Sequence, residues 1–198
     1  MKKSFTILLC LFMPCFLFAQ EKVKLNEIGL SFRNLDSFGF TFRTGTDKSL
    51  WRFNTLFIGG STMDQTGDST FNRQANSGFG IQIGKEYRKL IVEKLELRLG
   101  VDLSFDYSKS EYKYNTGYDY RLQERTTYIP GVKLVLGLNY LLTPNLVLGA
   151  ELLPGVSYST GTSVETEYYT HNEVKSDISG FSYGLSNSYA LLSLAYRF

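Results

Sequence analysis

The sequence predicts an all-β chain: an eight-stranded antiparallel up-and-down transmembrane β-barrel with short turns at one rim and long excursions at the other. Three observations carry this reading. Hydrophobic residues alternate with period two along most of the chain, the opposite face mixes glycine with balanced charge, and the connections alternate between short and long. Period two is the signature of a strand, whose successive side chains point to opposite faces.

The first element is a leader. Lys2 and Lys3 precede an apolar core from Ile7 to Phe18, and Ala19 stands before polar Gln20. That is the layout of a secretory signal peptide, and its apolar run of about a dozen residues falls short of the roughly 20 that a membrane-spanning helix needs. Cleavage after Ala19 is expected, with residues 20–198 forming a single domain. Cys10 and Cys15 both lie in the leader, so the exported part has no thiol for a disulfide framework or a thiolate metal site. Phe12, Met13 and Pro14 before Cys15 lack the small residues of a lipoprotein signal. Without Lys2 and Lys3 the chain carries 19 basic and 19 acidic residues, and no basic patch argues for nucleic acid.

The strands follow in order. Ile28, Leu30 and Phe32 alternate in a segment at roughly 25–34; Phe38, Phe40 and Phe42 do so at 37–45, and Trp51, Phe53 and Phe57 at 50–60. Phe79, Ile81, Ile83 and Tyr87 mark a fourth segment at 77–87. The fifth, at 95–107, is the clearest: Leu95, Leu97, Leu99, Val101, Leu103, Phe105 and Tyr107 face one way, and Glu96, Arg98, Gly100, Asp102, Ser104 and Asp106 the other. A helix would scatter these apolar residues round its circumference. Val132 to Tyr140 and Leu146 to Tyr158 continue the pattern at 127–142 and 145–158, separated by a turn at Thr143, Pro144 and Asn145. Lys133, Asn139, Glu151 and Pro154 exclude a helical membrane hairpin for this region. The last segment ends at Phe198. Phe181, Tyr183 and Leu185 are odd-numbered whereas Leu192, Leu194 and Phe198 are even, which requires a bulge or turn near Gly184 to Ser188. A bulged long strand keeps the count at eight.

Alternation alone does not say which face meets lipid. The polar face interleaves Gly29, Gly80, Gly84, Gly100, Gly131, Gly137, Gly149 and Gly155 with charges, which suits a crowded lumen. Its charges are Arg33, Arg43, Arg52, Arg98, Lys133 and Arg197 against Glu27, Glu86, Glu96, Asp102, Asp106 and Glu151. A balanced set can pair across a closed barrel, whereas a water-filled, ion-selective channel favours one sign. Arg88 to Lys94 and Thr143 to Asn145 read as short connections; Ser61 to Ser77, Ser108 to Thr126 and Ser159 to Asp177 read as long polar ones. Membrane barrels show this asymmetry, with short periplasmic turns and long extracellular loops.

The chain closes on LLSLAYRF, with Leu192, Leu194, Tyr196 and Phe198 on one face. In this ending and the pattern before it the chain resembles the small bacterial outer-membrane β-barrel family of the eight-stranded OmpA and OmpX type. The resemblance implies location in the bacterial outer membrane, outer-membrane lipid as surroundings, and a terminal Phe198 read by the barrel-assembly machinery.

Chemistry is sparse. The lone histidine, His171, falls in a long polar stretch with no positioned nucleophile, so no catalytic residue is assigned. Glu165, Glu167, Glu173 and Asp177 around it, and the MDQTGD stretch, match no EF-hand or zinc spacing, and neither a metal nor a cofactor is expected. Tyr112, Tyr114, Tyr118 and Tyr120 alternate among Lys and Arg; such a surface suits an extracellular protein or glycan, while the alternation favours strands five and six continuing past the membrane as a protruding sheet. The expected protein is a monomeric, non-enzymatic barrel with a filled, charge-paired interior that serves envelope structure or surface interaction. The alternatives are a small passive pore and a lipid-acyl-modifying enzyme.

Overall fold

The structure is a computed structural model that describes residues 24–34, 37–67, 70–116, 120–167, 172–184 and 190–198. The leader, Tyr118 and His171 lie outside these residues, as does the Arg33 side chain. The strands are β1 (Leu25–Asn34), β2 (Ser37–Gly45), β3 (Ser49–Thr66), β4 (Phe71–Val92), β5 (Leu95–Asn115), β6 (Tyr120–Leu141), β7 (Leu146–Leu152), β8 (Gly155–Glu167), β9 (Asn172–Gly184) and β10 (Ala190–Arg197).

Eight of them close a ring. β1 to β7 pair in sequence, and β10 lies between β7 and β1, every contact antiparallel. β7 and β8 are one barrel strand. Both pair with β6 in a single unshifted register, from Leu136↔Leu152 to Lys133↔Gly155, and the Leu134 N–H donates to the Pro154 carbonyl at 2.8 Å across the gap. β9 and β10 similarly continue the eighth strand, but with a slip: Gly155 pairs with Gly184 while Leu152 pairs with Ala190. The eighth strand thus carries three residues more than the seventh between those pairs, and an odd insertion exchanges the faces. This is why Phe181 and Tyr183 share the outer surface with Leu192 and Leu194. Gly184, at φ 141°, opens the irregularity in a conformation that side-chain-bearing residues rarely adopt. The interval that holds the insertion, 185–189, lies outside the described residues.

Following paired residues from Glu27 through Arg43, Arg52, Gly84, Asp102 and Lys133 reaches the seventh strand at Gly155; going the other way through Arg197 reaches it at Asn145. That stagger of ten residues, from Asn145 to Gly155, tilts the strands by about 40° to the barrel axis.

The long excursions are themselves strand. β3 and β4 pair to Thr66↔Phe71, β5 and β6 to Asn115↔Tyr120, and β8 and β9 to Glu167↔Asn172. The strands of each pair therefore end with four residues between them, of which 68–69, 117–119 and 168–171 lie outside the described ones. Alternation past the membrane, visible at Tyr112 and Tyr114, is the physical reason. Another boundary also moves: β4 runs to Val92, so Arg88 belongs to a strand and the turn is Glu93–Lys94.

The outer wall is the apolar one. Phe40, Trp51, Ile83, Leu99, Leu103, Leu134, Leu148 and Leu192 are exposed, while Arg43, Arg52, Glu86, Arg98 and Asp102 are buried inside. A closed barrel is the one sheet form that leaves no backbone edge to hydrocarbon. Rings mark its upper border, where Tyr107 lies 5.6 Å from Phe79 and 5.4 Å from Tyr128, centroid to centroid.

Candidate functional site: the luminal ion network and the extracellular sheet

The lumen is crossed by one connected set of charges. At the mouth beside the termini, Arg197 donates to Glu27 at 2.8 Å and to both Glu96 oxygens at 2.8 and 2.9 Å. Arg88 donates to Glu27 at 2.6 and 2.7 Å and to Glu86 at 2.7 Å. Arg43 adds contacts to Glu27 at 3.3 Å and Glu86 at 3.7 Å. Further in, Arg98 donates to Glu86 and Glu151, both at 2.7 Å, and to Asn139 at 3.0 Å. Arg52 reaches Glu151 at 2.8 Å, Glu86 at 3.2 Å and Asp102 at 3.2 Å. Asn139 ties the two ends by donating to Glu96 at 3.1 Å.

Glu86 is the hub, within 4 Å of four arginines. The five arginines and five acids cancel, which is what allows charges at 0–1% exposure to persist away from water. β3 and β7 are diametrically opposite in the ring, so the Arg52–Glu151 pair spans the full width of the lumen. Strand sterics make room for this. A Cβ at Gly84 would strike the Asp102 carboxylate and the Val101 carbonyl, and one at Gly149 would strike the Ser193 hydroxyl and crowd Asn139 at 3.0 Å and the Arg98 guanidinium at 3.2 Å. Glycine is required at Gly84 because the neighbouring backbone occupies that space, and at Gly149 it leaves room for the side chains of the network.

Around this set the inner wall also carries neutral side chains. Asn54 donates its amide to the Thr41 hydroxyl at 2.6 Å and accepts from Arg52 at 2.9 Å on the β2–β3 side, and Val135, Leu153 and Leu191 form a small buried apolar cluster on β6, the β7–β8 junction and β10.

The structure brings together Glu27, Arg43, Arg52, Glu86, Glu96, Arg98, Asp102, Glu151 and Arg197 from the sequence-predicted set. Lys133 is buried on the same face, in register with Asp102, and Asp106 lies nearer the outer rim, half-buried. Arg88 was not among the expected interior charges. Arg88 opens the stretch RKLIVEK, which reads as a short connection because charges stand at both its ends, although inward Glu86 two residues earlier carries the signal that it too points inward.

Above the membrane β3, β4, β5, β6, β8 and β9 remain paired and form a six-stranded extracellular sheet. Its two edges, β3 beyond Asn54 and β9, have strand partners on one side only among the described residues. Tyr112 and Tyr114 continue the luminal face beside Gln123 and Arg121, whereas Tyr120 lies on the opposite face with Asn115. The expected tyrosine cluster is thus divided between two surfaces. Lys113, 2.9 Å from Glu111, holds that carboxyl below the usual range on the outer face. Glu165 and Glu167 lie on the luminal side of β8 and Glu173 and Asp177 on the outer side of β9, so these acids do not converge. Among the described residues no group of three His, Cys, Asp or Glu is placed to hold a metal ion.

At the carboxy terminus, the Phe198 N–H and carbonyl both bond Asn26 at 2.9 Å, and the Tyr196 and Phe198 rings stack at 6.3 Å. Leu192, Leu194, Tyr196 and Phe198 all face outward.

A family model described as "Putative OmpA-OmpF-like porin family" matches residues 67–183, more than half of the chain. No curated protein sequence matches. Among solved structures, a major outer membrane protein from Thermus thermophilus is similar over 89% of this chain and 100% of its own, at 16% identity and TM-score 0.52. Ail, the attachment invasion locus protein of Yersinia pestis, aligns over 88% and 97% of the two chains at 14% identity and TM-score 0.37. CarO of Acinetobacter baumannii aligns over 87% and 96% at 7% identity and TM-score 0.40. The fold is shared with the first of these, and with the family match it identifies this chain as a bacterial outer-membrane β-barrel protein belonging to the OmpA-OmpF-like porin family.

Proposed function

We propose that this barrel is closed, non-catalytic and used to present its extracellular sheet, acting as an envelope protein that engages an extracellular protein or glycan. The observation that carries the reading is the Arg52–Glu151 pair, which joins opposite walls in the middle of a neutral network. Water and ions would have to part five arginines from five carboxylates to pass. Each parted pair leaves a desolvated charge, a cost of about 3–5 kcal/mol.

The sheet supplies the contact surface. A strand edge with free N–H and C=O groups can accept an extended segment of another protein. Glu173, Lys175 and Asp177 on β9 and Asp64 on β3 charge these edges, which discourages indiscriminate pairing and leaves recognition to complementary partners. Tyr112 and Tyr114 with Gln123 and Arg121 add rings and hydrogen-bond donors on one face, a combination that suits sugars or peptides.

The test uses folded protein in lipid nanodiscs against arrays of glycans and extracellular-matrix proteins, alongside a variant in which residues 108–126 are replaced by a short turn. Binding by the full chain and its loss in the folded, shortened variant is expected. Equal binding by both would refute presentation by the sheet. Rapid swelling of protein-loaded liposomes in small sugars would refute the closed lumen and favour a passive pore.

A further inference from the structure

Among the described residues, the outer wall carries charge through the membrane band only along β4, where the outward side chains run Ile81, Ile83, Lys85, Tyr87 and Lys89. Lys85 pairs in register with Trp51 on one side and Val101 on the other. Its ammonium lies 5.4 Å from the centre of the Trp51 ring and 5.9 Å from that of Tyr87, and these rings are its partners among the described residues. Trp51 and Tyr87 lie close to the short-turn rim, two residues from Ser49 on β3 and in register with it on β4.

This placement is unusual for a lysine. An ammonium that faces hydrocarbon is costly, and a long side chain relieves the cost by bending toward the interface. Here it bends onto two rings of the interfacial belt, which attract its charge through their faces. A ring face offers no lone pair for a strong hydrogen bond, and the ammonium carries three donors. Bending toward the short-turn rim carries those donors toward the headgroups, and Phe53, Ile83 and Val101 beside Lys85 leave an exposed apolar surface on the same outer wall.

We propose that Lys85, Trp51 and Tyr87 form a binding site for the phosphate of an anionic phospholipid in the leaflet at the short-turn rim, with the acyl chains lying over Phe53, Ile83 and Val101. Two terms add. The phosphodiester meets the unpaired ammonium, and the amphipathic rings bury their bodies against the upper chain segments while keeping their polar tips at the interface. Headgroups with net negative charge are favoured over zwitterionic ones, whose own ammonium repels Lys85. Lys89, the next outward cation toward the turn, contributes a weaker, screened attraction.

Trp51 is the one tryptophan in the sequence, so its fluorescence reports directly on the site. The full barrel is refolded in phosphatidylcholine vesicles that contain a minor fraction of brominated phosphatidylglycerol, or the same fraction of brominated phosphatidylcholine, and Trp51 quenching is compared. The expected enrichment of the anionic lipid at Trp51 is about fivefold, the attraction typical of one lysine for an anionic surface. Lys85→Gln should bring it close to parity, Lys85→Arg should retain it, and Lys89→Gln should reduce it only slightly, with heat-modifiable gel migration showing that each variant is folded. Inorganic phosphate, against chloride at equal ionic strength, separates the two sources of the anion: unchanged enrichment supports a lipid-borne phosphate, and its loss overturns the lipid site in favour of a free-phosphate one. Equal quenching by the two brominated lipids in the unaltered protein, or unchanged enrichment in Lys85→Gln, overturns the proposal.

Discussion

Replacing Glu151 by leucine isolates the link between opposite walls. Glu151 accepts from Arg52 at 2.8 and 3.1 Å and from Arg98 at 2.7 Å. Its removal leaves two buried guanidiniums short of a carboxylate, but neither is bare: Arg98 keeps Glu86 at 2.7 Å, and Arg52 keeps Glu86 and Asp102 at 3.2 Å. The cost therefore belongs at the lower end of the range for breaking a buried pair, about 3 kcal/mol. Arg98→Met should cost about 2–3 kcal/mol, since Glu151 retains Arg52 and Glu86 retains three other arginines. The double variant removes one charge of each sign and restores neutrality, so it should be more stable than the two single losses imply, with a coupling of about 2 kcal/mol. Urea unfolding in lipid vesicles, followed by the single tryptophan, measures all four corners of the cycle. Additive losses, or a Glu151→Leu cost under about 1 kcal/mol, would show that these charges are hydrated and independent and would refute the network as a closed unit.

Other consequences are as specific. Glu86→Gln, which leaves four arginines sharing the carboxylates that remain, should destabilise the barrel more than Glu151→Leu in the same titration. Leu103→Arg, on the lipid-facing side of β5 midway between Leu99, the partner of Tyr87, and Tyr107 of the upper ring border, should cost about 2–4 kcal/mol at the bilayer midplane; no loss in vesicles would place it elsewhere. Gly84→Ala should lower stability by about 1–3 kcal/mol, because its Cβ meets the Val101 carbonyl and backbone must move; a neutral effect would mean that the β4–β5 spacing is looser than the structure has it. Deleting Phe198 should lower the folded amount in the outer membrane more than it lowers stability after refolding in detergent, and equal losses would reduce this residue to the Asn26 contacts it makes at the barrel seam.

Much of the fold was legible in the sequence because strand alternation is a local signal. Leu95 to Tyr107 states its two faces outright, and the odd-to-even change between Tyr183 and Leu192 announces the three-residue slip that the pairings reveal. The balance of inward charge was also legible. Its wiring was not, because Arg52 and Glu151 are far apart in sequence and meet only through the stagger of the closed ring. Arg88 escaped because a charged residue near Lys89, Glu93 and Lys94 looks like part of a turn when hairpin length is unknown. The polar stretches at 61–77 and 159–177 looked like loops because a sheet with both faces in water has no apolar side to declare it, whereas the tyrosine alternation in 108–126 already pointed to strands that continue. The unpaired lysine among the rings was hidden for another reason: Lys85 sits in a clean alternation with Ile83 and Tyr87, and only the cross-strand register brings Trp51 beside it.

Single-channel recording of the purified, refolded barrel in planar bilayers tests the closed lumen most directly, with heat-modifiable migration establishing that it is folded. The ion network predicts a silent baseline in the unaltered protein and discrete openings once both Arg52 and Glu151 are replaced by serine. Steady channels in the unaltered protein would contradict the closed lumen and make the same arginines and carboxylates the lining of a pore.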